Sequence, residues 1–323
     1  MPSGGTLQSV TEEKDHFDQL ARERENHHFI PDLRRMGDND YFYLSAFRRQ
    51  ALAQIGLDQY IAFARQCVTA YLPPRAKVLD LGCGNGWFAL ELARLGLEVT
   101  ALDLSEENIR LAQAALREAD LSPGYGSISY YAGDLHHWSA PETGYAAAFF
   151  LGALHHLAEV EPVLTRYASR LGEPGYLFCA DPFINNYQEP EALIALLVRL
   201  CLASCGAWYE DLPLPSSEAQ LEALLQDTLR EYRTWSDKKE AGNQSPTNNA
   251  ASGAEIQAAI QKHFQILEQG PLFTVLQRLI GGVRLKDDAH NLAFAQTWAL
   301  LEKTLQRQQI MRPGGYMFWG VKR

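Results

Sequence analysis

The stretch VLDLGCGNGWFALELA, residues 78–93, decides how the chain is read. A short apolar run with one acid, Asp80, leads into three glycines at alternate positions, Gly82, Gly84 and Gly86. A helical pattern follows at once. A strand, a glycine-rich turn and a helix put backbone N–H groups at the carboxyl edge of a sheet, where ligands bind. The missing side chains let something approach that backbone closely. A dinucleotide pyrophosphate needs G-x-G-x-x-G. Here Trp87 stands at the third glycine position, and the spacing is G-x-G-x-G. An acid two residues before the first glycine also suits an ammonium or sulfonium better than a pyrophosphate. A nicotinamide-dependent dehydrogenase is disfavoured on both counts.

Outward from this stretch, short apolar strands alternate with amphipathic helices. KVLDLG, LEVTALDL, SISYYAGDL, YAAAFFLG and GYLFCADPF read as five strands. SEENIRLAQAALREAD reads as a helix capped by Ser105, with acids in its first turn. Near-continuous apolar strands between helices predict a parallel sheet covered on both faces. The first 70 or so residues carry apolar positions at helical spacing, and Pro73 and Pro74 end that region. After Pro182 the alternation lapses into an apolar helical stretch at 192–208 and a second helix ending near Trp235. Residues 236–253, SDKKEAGNQSPTNNAASG, are polar and nearly free of apolar side chains, which predicts a mobile loop. Ser252 and Glu255 then have capping-box spacing. QILEQGPLF and MRPGGYMFWGVKR supply a sixth and a final strand.

Composition narrows the partners. The 323 residues carry a formal charge of -10, which disfavours a broad phosphate-binding face, so no nucleic-acid partner is expected. No export signal is read at the start, and no apolar run is long enough to span a membrane. The five cysteines form no CxxC pair and no zinc spacing. A cytoplasmic protein with buried thiols and no metal is expected. Monomer and homodimer stay equally open, since residues 192–208 suit a pocket or an interface.

The sequence resembles the class I S-adenosylmethionine-dependent methyltransferases. VLDLGCGNGWFALELA looks like their motif I, VTALDLS follows at the family's spacing, AGDL matches the adenine-edge motif, and FFLGALHHL the fourth-strand motif. The resemblance covers roughly residues 75–183, and the last two strands extend it to the C-terminus. It implies a Rossmann-like α/β fold with a mostly parallel seven-stranded sheet. Helices would cover both sheet faces, and a helical N-terminal segment and a helical insertion would form a substrate cap. The implied units are 1–74, a cofactor-binding core at 75–183, a cap insertion at 184–252, and the C-terminal part of the core at 253–323. The implied cofactor is S-adenosylmethionine, with S-adenosylhomocysteine as product.

The implied cofactor contacts can be stated residue by residue. Gly82, Cys83 and Gly84 would lie along the methionine part, with Asp80 on its ammonium. Asp103 would accept from the ribose hydroxyls. Asp134 would accept from the adenine amino group, and Leu104 and Leu135 would sandwich the ring. The backbone near Phe150 and Leu151 would meet the ammonium at the end of the fourth strand. The alternative for Asp103 and Asp134 is that they only cap the helices that follow them.

Methyl transfer from a sulfonium is an in-line displacement, so the protein mainly positions and desolvates the reactants. A hydroxyl acceptor also gains from a base. The shelf after the fourth strand reads FLGALHH, which lacks the pattern of the nucleobase amino-methyltransferases and the acid of the metal-dependent catechol type. His155 and His156 are the base candidates, the alternative being that they cap the next helix. Asp181, Tyr187, Trp208, Tyr209 and Trp235 are candidates for an enclosed, partly aromatic substrate pocket, the alternative for the aromatics being that they pack the cap's own core. Methylation of a small or medium organic molecule, most readily at oxygen, is the leading expectation. A methyltransferase for RNA or protein side chains and a non-catalytic cofactor-binding protein are the alternatives.

Overall fold

The computed structural model describes residues 4–120, 122, 124–234 and 245–323. Two long helices come first, α1 (Gly4–Asn26) and α2 (Gln50–Tyr71). The alternating part follows as β1 (Lys77–Leu81), α3 (Trp87–Arg94), β2 (Glu98–Asp103), α4 (Glu106–Glu118), β3 (Ser127–Ala132), β4 (Tyr145–Leu151), α5 (Val160–Ala168) and β5 (Leu171–Pro182). Next come α6 (Glu189–Ser204), α7 (Glu218–Thr234), α8 (Gly253–His263) and β6 (Phe264–Pro271). The chain ends with α9 (Leu276–Leu279), α10 (Asp288–Arg307) and β7 (Gly315–Lys322).

Local chemistry sets these boundaries. Ser105 Oγ accepts the Asn108 N–H at 3.0 Å and opens α4, with Glu106 and Glu107 against the positive end of the helix. Ser252 and Glu255 cap α8 reciprocally, as their spacing predicts. Glu302, fully buried on α10, accepts the Val275 and Leu276 N–H groups at 3.1 and 2.9 Å and so closes the start of α9.

The seven strands form one sheet in the order β3-β2-β1-β4-β5-β7-β6. β3, β2, β1, β4 and β5 run parallel, while β7 is antiparallel to both β5 and β6. The chain turns from β1 outward to β3 and then returns to β4 on the other side of β1. The carboxyl ends of β1 and β4 therefore flank a switch point, where open α/β sheets leave a crevice. The two-residue period puts Leu79 and Leu81 on one sheet face with Phe150 and Phe318. Val78 faces the other side with Phe149, Phe178 and Trp319.

A third apolar cluster lies off the sheet and joins α6, α7, α9 and α10. It corrects the expected placement of three pocket candidates. Tyr187 stacks on Tyr232 with centroids 4.3 Å apart, and the Arg199 guanidinium lies over both Tyr232 and Trp208. Tyr209 packs against Trp208 and Tyr43. These aromatics pack on one another and do not line the cavity at the sheet's switch point. Trp235 and residues 236–244 of the predicted loop lie outside the described residues. The described end of that loop differs from expectation. Ser245 is buried, and Ala251 donates its N–H to the His155 carbonyl at 3.2 Å.

The segment between α1 and α2 is tied to the core by one buried ion pair. Arg94 of α3 donates to Asp32 at 2.8 Å and to Glu91 at 2.6 Å, and the Asp32 and Arg94 side chains are almost wholly buried. Removing Asp32 takes away one of the two carboxylates on the buried Arg94 guanidinium and leaves Glu91 as the other. Asp32→Ala is expected to lower the unfolding free energy by ~1.5–3 kcal/mol. Urea titration at neutral pH reads this as a lower midpoint, and an unchanged midpoint would refute it.

Candidate active site

The glycine turn after β1 sits at the switch point. A Cβ on Gly82 would lie 2.6 Å from the Ala153 Cβ, and one on Gly86 would lie 2.6 Å from the Tyr130 hydroxyl. Those two glycines make room for the protein's own side chains. Gly84, at φ +53°, has no atom within 4 Å of its Cβ position and opens onto a cavity. The turn's N–H groups are mostly spoken for. Gly82 and Cys83 donate to the Leu102 carbonyl, Gly84 to Asp103, and Gly86 to the Cys83 carbonyl. Such a turn has little left for a pyrophosphate.

Two carboxylates flank the turn. Asp103, at the end of β2, accepts the Gly84 N–H at 2.7 Å and the Ser105 N–H at 2.9 Å. It fastens the turn to the start of α4 and still faces the cavity. Asp80 is 1% exposed, and among the described residues its Oδ2 has no hydrogen-bond partner. An orphaned buried carboxylate oxygen on a cavity wall is a place for a cation. Asp134 also lines the cavity. Its oxygens accept from the His136 N–H at 2.9 Å and meet His137 Nδ1 at 2.7 Å, so it shapes its own turn as well.

The cavity holds about 530 Å³, within the range of small-molecule sites. Its floor includes Cys83, Leu104, Leu135 and Leu151. The Cys83 thiol is pushed up by burial, so it stays protonated and unreactive. Phe150 is fully buried in the sheet core and does not line the cavity, and the wall there is Leu151, Gly152 and Ala153. The roof is α1. Val10, Glu13, Phe17, Leu20 and Arg24 face inward, one stripe of that helix.

The two neighbouring histidines point to different places. His155 turns inward, with Nδ1 2.6 Å from Asp181 Oδ1, and both residues are buried behind the wall. This corrects the expectation that Asp181 or His155 meets a substrate. His156 lines the cavity. Its Nδ1 lies 2.9 Å from Glu13 Oε1 and 3.1 Å from Ser245 Oγ. Thr247 donates its N–H to Glu13 Oε2 at 3.0 Å, so residues 245–247 close the roof from the other side. Glu13, Phe17 and Thr247 are absent from the sequence-based candidates. The available signal was the 10-13-17-20-24 stripe, which sets charges in an otherwise apolar helix face. No group of three or more His, Cys, Asp or Glu side chains among the described residues is arranged to hold a metal. No described helix is long and apolar enough to cross a membrane.

Residues 78–175 match the family model described as a methyltransferase domain. The ubiquinone biosynthesis O-methyltransferase of Xanthomonas campestris pv. campestris (strain B100) is 28% identical over 188 residues, 55% of this chain and 75% of that protein. Its namesake from Xanthomonas axonopodis pv. citri (strain 306) is 32% identical over 133 residues, 41% and 52%. Among solved structures, magnesium protoporphyrin IX methyltransferase from Synechocystis PCC 6803 with bound SAH aligns at a TM-score of 0.49. It is 15% identical, with 96% of this chain and 98% of that one covered. Residues 78–175 thus carry a methyltransferase domain, and the matches support an S-adenosylmethionine-dependent methyltransferase. Its cofactor is S-adenosylmethionine, and the orphaned Asp80 oxygen and the open face of Gly84 fit that group's ammonium and methionine chain.

Burial, and after it the Asp103 charge, pushes the Asp80 carboxyl up from 3.8 to about 8. An acid with a raised folded value holds its proton more tightly in the folded state. Its stability contribution is present below about pH 4 and is lost as pH rises toward about 8. Asp80→Asn removes that loss. The melting temperature of the variant relative to the unaltered protein is expected to rise between about pH 5 and pH 8. A difference independent of pH would refute the assignment.

Proposed function

We propose that this methyltransferase acts on an oxygen of a small or medium-sized organic molecule held beneath α1. The carrying observation is the roofed cavity of about 530 Å³ that joins the glycine turn to His156. Bare duplex or a folded protein surface would find the crevice covered by α1 and residues 245–247, and the net charge of -10 points the same way. The names of the Xanthomonas relatives, which are O-methyltransferases, also support oxygen as the acceptor.

In this reading Asp80 holds the cofactor's ammonium, with Gly82, Cys83, Gly84 and Leu151 along the methionine chain. Asp103 receives the ribose hydroxyls on the lone pairs left by Gly84 and Ser105. Asp134 accepts from the adenine amino group, and Leu104 and Leu135 pack on the ring. When bound, the cofactor supplies a methyl group on a positively charged sulfur that leaves as a neutral thioether. The chain's own tasks are to align the acceptor, exclude water and take one proton. His156, the cavity-facing histidine, is the group for that proton. Burial and then its neighbour His155 hold its imidazole below the usual value, so it is neutral and able to accept near pH 7.

Calorimetric titration with S-adenosylhomocysteine tests the cofactor map. Asp103→Ala is expected to weaken binding about 10-fold or more, from lost charge-assisted hydrogen bonds. Equal affinity would place the ribose elsewhere. Phenols, carboxylic acids and amines are then screened with methyl-labelled cofactor. On an accepted hydroxyl, His156→Ala is expected to lower kcat by ~10²–10⁴ with the cofactor KM little changed. Label appearing only on amines would overturn the oxygen assignment.

A further inference from the structure

The roof of the cavity is joined to its wall at one point. Glu13, midway along α1, is 5% exposed, and its Oε1 stands 2.9 Å from His156 Nδ1. One turn further on, Phe17 meets the His156 ring edge-on at 5.5 Å. Glu13 Oε2 takes the Thr247 N–H, and Ser245 Oγ bonds to His156 Nδ1. The imidazole is thus gripped at Nδ1 by groups from two segments far from it in sequence. Its Nε2 has no hydrogen bond among the described residues, and it is the nitrogen left for a ligand.

We propose that Glu13 is a positioning residue for His156, delivered by α1, so that the site's proton acceptor is complete only while α1 lies over the cavity. This rests on the reading of His156 as the group that faces the acceptor hydroxyl. The Glu13 carboxylate beside Nδ1 favours the proton on that nitrogen, so the lone pair sits on Nε2, where the acceptor's proton must go. The acceptor oxygen forms its bond to the methyl carbon, the carbon–sulfur bond breaks with its electron pair on sulfur, and the hydroxyl proton passes to Nε2. The resulting imidazolium keeps its Nδ1 proton, and the Glu13 carboxylate stabilises the new charge. The other charged or titratable groups facing His156 are His155, on the same turn, and Asp181 of β5, behind it. Asp181 is engaged by His155, so Glu13 is the carboxylate in direct contact with His156.

The arrangement also makes the roof selective in time. Without α1 in place, His156 loses the carboxylate that favours its Nδ1–H tautomer and keeps the Ser245 hydroxyl at that nitrogen. Proton transfer would then wait for the same closure that excludes water from the site.

The test uses the full chain with S-adenosylhomocysteine bound and nitrogen-15 labelled imidazoles, His156 being assigned through His156→Gln. Glu13→Gln keeps the shape of the contact and removes its charge. Losing a neighbouring carboxylate disfavours the imidazolium, so the His156 midpoint is expected to fall by about one pH unit, with more of the Nε2–H tautomer. On an accepted hydroxyl the acid limb of the kcat profile moves to lower pH by the same amount, kcat falls about 10-fold or more, and the cofactor KM stays within about two-fold. An unshifted midpoint and tautomer in Glu13→Gln, with activity lost in His156→Gln, would overturn the role of Glu13 alone. Full activity in His156→Gln would overturn the base assignment itself, and this proposal with it.

Discussion

The site depends on one carboxylate. Asp103 ends β2, yet its two oxygens hold the glycine turn that follows β1 and the first turn of α4. A turn with three positive φ values is costly to order by itself. The parallel register that places Asp103 beside the turn is set by the apolar faces of β1 and β2. Packing therefore fixes the register, the register aims the carboxylate, and the carboxylate fixes the turn. The remaining lone pairs of that same group face the cavity. Structural and binding duties are thus not alternatives at this position.

Asp80 shows the opposite arrangement. Its side chain is buried without a full set of partners, and burial makes its charged form unfavourable. The fold tolerates this at the end of a central strand where apolar packing on both faces is dense. A cation brought to the site would relieve the same desolvation. The stability lost at Asp80 and the affinity gained there have one physical origin.

How far the sequence carried the reading depends on the range of the interactions involved. The strands, the Ser252–Glu255 capping box and the order of elements follow from local periodicity and turn chemistry, the parallel part of the sheet follows from the alternation, and its seven strands follow from the family resemblance. The floor of the site was legible because the turn and its acids sit at strand ends. The roof was not. A stripe such as Val10, Glu13, Phe17, Leu20 and Arg24 reads as any amphipathic helix until its partner surface is known. His155 and His156 are equivalent in sequence, and only the distant Asp181 and Glu13 separate them. Trp208 and Tyr209 have the composition of a pocket, but Arg199 and Tyr232 draw the cap's aromatics into a core of their own.

The roof and the body are held by different forces. The sheet is secured by apolar burial on both faces, whereas α1 is fastened to α4 largely by polar contacts. Asp18 takes the Ser105 hydroxyl, Arg22 pairs with Glu107, and Arg110 pairs with Glu25. The Arg22–Glu107 and Arg110–Glu25 pairs are exposed and weaken as salt rises, whereas apolar packing does not. The contacts that hold the first helix are therefore more sensitive to salt than those that hold the sheet. Ionic strength becomes a handle on access to the cavity: a salty solution loosens the cover while leaving the vessel intact.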